Sequence, residues 1–366
     1  MKKETRAYNF CAGPAAMPEP VLKRAREELL NWQHCGASVM EISHRSPDFI
    51  EKILMPAENN LRRLMDIPDN YKVLFVSTGA SHQFAMVPLN LLDLQPAQQA
   101  DYFHTGVWSG KAIKEAQRYG SIHIALSSEK NNFTDIDPPS KWTLNPHASY
   151  IHYTPNETVH GLAFQEIPQT GSVPLVADMS SMILSRKIDV NRFGLIYAGG
   201  QKNIGPSGLT IVIIREDLAG KAKSFTPALY NYQTYIEHHS LFNTPATFSI
   251  YLAGLCFEWL LSLGGVETIA RINQRKAEKL YQMIDQTDFY HNPVNPAYRS
   301  EMNVIFYLAS PELDTLFVKE STDAGLIFLK GHKLIGGIRA SLYNAMPESG
   351  VEALIEFMKN FEKRYG

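Results

Sequence analysis

Apolar residues along the chain recur at two different periods. After Pro18, Val21, Leu22, Ala25, Leu29 and Trp32 fall at helical spacing among charged neighbours, which predicts an amphipathic helix. Ser46-Pro47-Asp48 supplies a cap, a proline for the first helical position and an early acid, and it starts a second helix running towards Met65. Short apolar runs follow at Val73–Val76, Tyr102–Phe103, Ile122–Leu126, Tyr150–Tyr153, Leu175–Ala177, Leu195–Ala198 and Leu209–Ile214. Helical patterns separate several of these runs. They read as strands of a mostly parallel mixed sheet with helices on both faces, and the fold class is α/β.

The pattern changes near Gly264-Gly265. A long helix to about Asp285 leads to a strand-like run at Met302–Leu308, a helix, a second strand at Ile338–Leu342 and a terminal helix from Pro347. That order predicts a smaller α+β unit. Residues 16–264 are expected to form the large domain, and residues 265–366, joined by 1–15, the small one. The longest greasy stretch, Phe248–Leu263, contains Glu258 and falls short of the roughly 20 residues that span a bilayer. It reads as a buried helix. The amino terminus has basic residues with no apolar segment after them, so it does not read as a secretory signal.

Composition narrows the function classes. With 35 Lys and Arg against 37 Asp and Glu, the net charge of −2 gives no positive field to hold nucleic acid or anionic lipid, and neither is an expected partner. An apolar share of 45% is enough to build a large core in 366 residues. The three cysteines, Cys11, Cys35 and Cys256, form no CxxC pair, which argues against a disulfide framework and for a reducing, cytoplasmic setting. No HExxH helix, P-loop or GxGxxG fingerprint occurs, and no metal site is expected.

In open α/β sheets ligands bind beyond the carboxyl ends of the strands, so the residues that follow each apolar run matter most. After Val73–Val76 comes Ser77-Thr78-Gly79-Ala80-Ser81-His82, a small-residue turn entering a helix whose free N–H groups could hold a phosphate. Leu175–Ala177 runs into Asp178. After the next run stands Gly199-Gly200-Gln201-Lys202-Asn203, where small neighbours desolvate the lysine amine and favour its uncharged, imine-forming state. Trp108, in Gly106-Val107-Trp108-Ser109-Gly110, lies at another strand-to-helix junction. Each residue alone has an ordinary reading: a turn, a cap, a core tryptophan. Together they supply what pyridoxal 5'-phosphate requires, namely an anion cradle, a lysine for the aldehyde, an acid for the pyridinium nitrogen and a flat partner for the ring.

The motifs NFCAGPAAMP, STGASHQFAMVPLNLL, HTGVWSGKAIKEA, HYTPNETVHG, VADMSSMILSR, YAGGQKNIGPSGLTIVIIRED, FNTPATFSIY and KGHKLIGGIRASLYNAMP run through nearly the whole chain. With them the sequence resembles the phosphoserine aminotransferase family, class V aminotransferases of pyridoxal-phosphate fold type I. The resemblance implies that Lys202 bonds the cofactor's aldehyde, Asp178 partners its ring nitrogen, Trp108 stacks on it and Thr158 bonds its phenolic side. Ala80, Ser81 and Gln201 match phosphate-cradle positions, and Asn243 and Thr244 the pair that reaches a phosphate in the neighbouring subunit's site. A homodimer with shared active sites is implied. Arg339 looks like the fork for the α-carboxylate, and His44, Arg45, His332 and Lys333 like the group that takes a phosphate or γ-carboxylate.

The implied reaction exchanges an amino group between glutamate and 3-phosphooxypyruvate, giving O-phosphoserine and 2-oxoglutarate by a ping-pong route. The same chemistry on a longer phosphorylated keto acid would give 4-phosphohydroxythreonine. Ser81 and Lys333 stand where some bacterial members carry arginine, an exchange that is not conservative where a phosphate is gripped. A class V lyase or desulfurase, or a non-catalytic relative of the fold, are the competing expectations.

Overall fold

The computed structural model describes residues 6–366. Of residues 1–15 expected in the small unit, 1–5 lie outside the described residues. The chain opens with a two-residue strand, β1 (Tyr8–Asn9), and helix α1 (Glu19–Glu28). Predicted to reach Trp32, α1 stops at Glu28. Gln33 and His34 then adopt left-handed backbone, and the turn tucks Trp32 into the core at 2% exposure.

The second predicted helix starts at Ser46, whose hydroxyl accepts from Phe49 N. It is not one regular helix. A short turn α2 (Pro47–Phe49) passes through a π-turn at Ile50–Leu54 into α3 (Met55–Met65). Pro56 has no N–H to donate and its ring crowds the Lys52 carbonyl one turn back, which is the physical reason the helix widens there.

Strands and helices then alternate: β2 (Tyr71–Val76), α4 (Gln83–Leu91), β3 (Gln99–His104), α5 (Val107–Ala116), β4 (Ser121–Ser127) and β5 (Ile151–Tyr153). A tiny hairpin of β6 (Asn156–Glu157) and β7 (Leu162–Ala163) precedes β8 (Leu175–Asp178), β9 (Leu195–Gly199) and β10 (Thr210–Arg215). The seven-stranded sheet has the order β2-β10-β9-β8-β5-β3-β4. All its neighbours pair in parallel except β10, which is antiparallel to both β9 and β2. Six strands therefore point their carboxyl ends at one edge, and β10 alone returns from it.

Helix α6 (Tyr232–Glu237) and the apolar helix α7 (Thr247–Ser262) follow, α7 packing against α3. At Gly254 a Cβ would meet Ala57 Cβ at 3.2 Å, so the small pair sets the approach of these helices. No single helix among the described residues is long and apolar enough to cross a membrane.

After Gly264 come α8 (Gly265–Asp285), β11 (Asn303–Phe306), α9 (Pro311–Asp323), β12 (Leu326–Ile327), β13 (Ile338–Ser341) and α10 (Glu348–Tyr365). β11 and β13 pair antiparallel, while β12 pairs in parallel with β1, Tyr8 facing Leu326. Phe10 shares a buried cluster with Phe306, Phe317, Leu354 and Phe361. Residues from both chain ends thus pack in one apolar core.

Candidate active site

The carboxyl edge of the large sheet carries a cavity of about 240 Å³ lined by Gly79, Ala80, Ser81, Trp108, Thr158, Asp178, Gln201 and Lys202, among others. Seven residues singled out from the sequence meet there. Topology explains the convergence: Asp178 ends β8, Lys202 lies just past the neighbouring β9, and Trp108 opens the helix that follows β3. Beyond β2, the turn at Ala80–His82 leads into α4, with His82 N bonded to Gly79 O and Gln83 N to the carbonyls of Ala80 and Ser81.

Lys202 is 8% exposed, and its Nζ donates to Thr158 Oγ1 at 2.7 Å. No carboxylate among the described residues pairs with it directly. Burial pushes its pKa down to about 8; Asp178 and Glu157 oppose that shift, and the Arg339 guanidinium reinforces it. The loop that presents it is narrow. Gly200 N and Gly205 N are both bonded within the segment from Gly200 to Leu209, and Gly208 takes a φ of +85° that suits glycine. A Cβ at Gly199 would lie 2.7 Å from Gln201 Oε1 and 3.2 Å from Ala80 Cβ, so this glycine lets the Gln201 side chain lie beside the anion-cradle turn.

Asp178 is held from below. Its Oδ1 accepts from Ser180 N at 3.0 Å and Ser180 Oγ at 2.6 Å, while Ser180 Oγ takes a hydrogen bond from Gly199 N at 3.0 Å. Burial raises the Asp178 pKa, and the Ser180 bonds and the Lys202 charge oppose it. Tyr197, across the β8–β9 pair, bonds His152 Nε2 at 2.9 Å, and burial pushes His152 down to about 3, so that imidazole is neutral. Neither Ser180 nor His152 stands out in the sequence. Serine two places after a strand-end acid is a common turn residue, and a core histidine has no local signal.

A second group of cations lies off the cavity wall: Arg339, His332 and Lys333 do not line it, although the Arg339 charge acts on Lys202. Burial lowers the pKa of Arg339, on β13, and Tyr343 and Cys11 oppose that shift. Burial lowers His332 too, reinforced by the charges of Arg339, Lys111 and Lys333. Lys111 Nζ sits 4.3 Å from the Trp108 ring centroid. Sequence reading missed Lys111, which looks like an ordinary solvated helix lysine. His44, Arg45, Asn243 and Thr244 do not line this cavity. Arg45, Asn243 and Thr244 are exposed, whereas His44 Nε2 is buried without a partner.

The residues present suit pyridoxal phosphate. Trp108 Nε1 and Thr154 Oγ1 at the cavity are buried polar atoms lacking a protein partner, a flat indole borders it, and a desolvated amine and a buried carboxylate share it. No group of three or more His, Cys, Asp or Glu among the described residues could hold a metal ion.

This edge-of-sheet lysine and acid coincide with a family-level match. Residues 7–354 match the model of the class-V aminotransferases, and the chain belongs to that family. Within it, the chain belongs with the phosphoserine aminotransferases. It is 55% identical over 361 residues to phosphoserine aminotransferase of Pseudomonas aeruginosa, covering 99% of both chains. The solved phosphoserine aminotransferase of Bacillus circulans subsp. alkalophilus superposes with a TM-score of 0.96 at 47% identity, covering 99% of each chain. The pyridoxal-phosphate-bound enzyme of Trichomonas vaginalis superposes with a TM-score of 0.93 at 38% identity, over 97% of this chain and all of that one.

Proposed function

We propose that this chain is a pyridoxal-phosphate-dependent aminotransferase exchanging the amino group of glutamate with 3-phosphooxypyruvate, to give O-phosphoserine and 2-oxoglutarate. The observation that carries this reading is the pairing of a desolvated Lys202 with a buried Asp178 in one cavity, with the Arg339 charge acting on that lysine. When bound, pyridoxal phosphate supplies an electron sink for the pair released at the substrate's α-carbon. Lys202 would hold the cofactor's aldehyde through its amine, and its free Nζ would take the proton from the substrate's α-carbon as base and return it as acid.

Asp178, fixed by Ser180, keeps the ring nitrogen protonated. Thr158 orients the lysine amine, and Trp108 supports the flat ring. Ala80, Ser81 and Gln201 hold the phosphate, as suits a turn at a helix entrance. Arg339 grips the α-carboxylate bidentately, while His332 and Lys333 attract the far anionic end of either substrate. His44, Arg45, Asn243 and Thr244 serve the other subunit's site in a homodimer. The free cysteines fit a cytoplasmic enzyme.

Desulfurase chemistry needs a reactive thiol at the site, and none of the three cysteines lines the cavity. Cys256 is buried, its thiol pushed up to about 12. A half-reaction tests the proposal: the coloured holoenzyme is mixed in turn with O-phosphoserine, glutamate and unphosphorylated serine. Bleaching by the first two and much slower bleaching by serine is expected. Equal bleaching by serine would overturn the phosphorylated substrate, and no bleaching by any would overturn transamination.

A further inference from the structure

Under Trp108 lies a carboxylate to which the reaction as described gives no part. Glu157, on β6 and one residue before Thr158, is fully buried. Its Oε2 accepts from Trp108 N at 3.0 Å, and its Oε1 from Ser109 N at 2.8 Å and Ser109 Oγ at 2.6 Å. Those amides are among the first, otherwise unpaired, donors of α5, where the helix dipole favours a negative charge. Helix caps usually come from the residue just before the helix. Here that residue is Gly106, and a Cβ on it would lie 2.5 Å from Glu157 Cδ. The glycine makes room for a cap brought in from another element.

We infer that Glu157 is a positioning residue for this reaction: it clamps the backbone of Trp108 while its neighbour Thr158 takes the hydrogen bond of Lys202, and so fixes the indole relative to the amine before the cofactor arrives. The ring centroid and Lys202 Nζ lie 5.9 Å apart, and two adjacent residues of one short segment hold both. A carboxylate so placed also favours the protonated form of the lysine. Fixing the parts of a site in advance removes ordering cost from binding. The inference rests on the reading of Trp108 as the cofactor's ring partner.

The test is the affinity of the full-length apoenzyme for pyridoxal phosphate, followed through the visible band of the bound cofactor. Glu157→Gln keeps the side chain's shape and can still accept from Ser109, but it turns an amide NH₂ towards Trp108 N–H. It should weaken cofactor binding by about tenfold and move the pH midpoint of the visible band lower, through loss of a negative charge near Lys202. In a Trp108→Phe background the same change should alter affinity by less than about twofold, since the indole is no longer there to be placed. Equal losses in the two backgrounds, or an unmoved pH midpoint, would overturn the inference and leave Glu157 a helix cap only.

If Glu157→Gln fails to fold, Ser109→Ala decides instead, since it removes one of the three bonds to Glu157, together with those that Ser109 Oγ accepts from Thr105 N and Gly106 N. A loss of about twofold with Trp108 present and none with phenylalanine is expected, and an equal loss in both, or none in either, overturns the inference. Trp108→Phe alone judges the underlying reading, because unchanged affinity there would remove the indole's role whatever Glu157 does.

Discussion

Lys202 and its surroundings show how far single residues determine the chemistry. Its amine is bonded to the Thr158 hydroxyl, and burial is what keeps it ready to lose a proton. Lys202→Ala should abolish the visible band of the lysine-bound cofactor and lower turnover by about 10³-fold or more, read by absorbance and by a coupled assay. With a pKa near 8 the free-amine fraction falls about tenfold for each pH unit below it. The rate at which apoenzyme captures pyridoxal phosphate should therefore climb through pH 6 to 8 and level off above, in stopped-flow absorbance; a rate flat across that range would show that the amine is already uncharged. At this scale the sequence revealed Lys202, Asp178 and Trp108 because each follows an apolar run at a strand end. It concealed Ser180, His152 and Lys111, whose roles depend on neighbours distant in the chain.

Among elements, α8 is tied to the turn after β13 by a buried lysine, whose pKa burial lowers to about 7. Lys276 is fully buried, and its Nζ donates to the carbonyls of Leu342, Tyr343 and Met346 at 2.9, 2.9 and 3.0 Å. When Lys276 is protonated these three bonds use all of its N–H donors. Lys276→Met should cost about 3 kcal/mol in urea unfolding, since it leaves those acceptors unpaired. A loss well under 1 kcal/mol would mean that solvent reaches them. The large-sheet strands were legible as apolar runs because burial on both faces needs continuous hydrophobic sequence. The direction of β10 was not, since a buried strand reads the same both ways. The two-residue strands β1, β6, β7 and β12 are too short for any period to show. The π-turn before α3 could have been foreseen from Pro56, which cannot continue a regular ladder.

For the whole molecule, the proposed sharing of sites between two subunits has a direct consequence for mixtures. Lys202→Ala and Arg45→Ala homodimers should both be inactive. Refolded together in equal amounts, they should regain about a quarter of wild-type activity, because half the dimers are mixed and each of those holds one intact site. No recovery would confine each site to its own chain. A different consequence follows from the pairing of Tyr8 with Leu326. On the ribosome, the opening strand is made first, yet its partner emerges only after some three hundred further residues, a wait of roughly 15 to 60 s at ordinary elongation rates. Nascent chains stalled before Leu326 should be cut readily around Tyr8 by added protease, and chains released after the last helix should not, so translation itself sets when this strand is sealed.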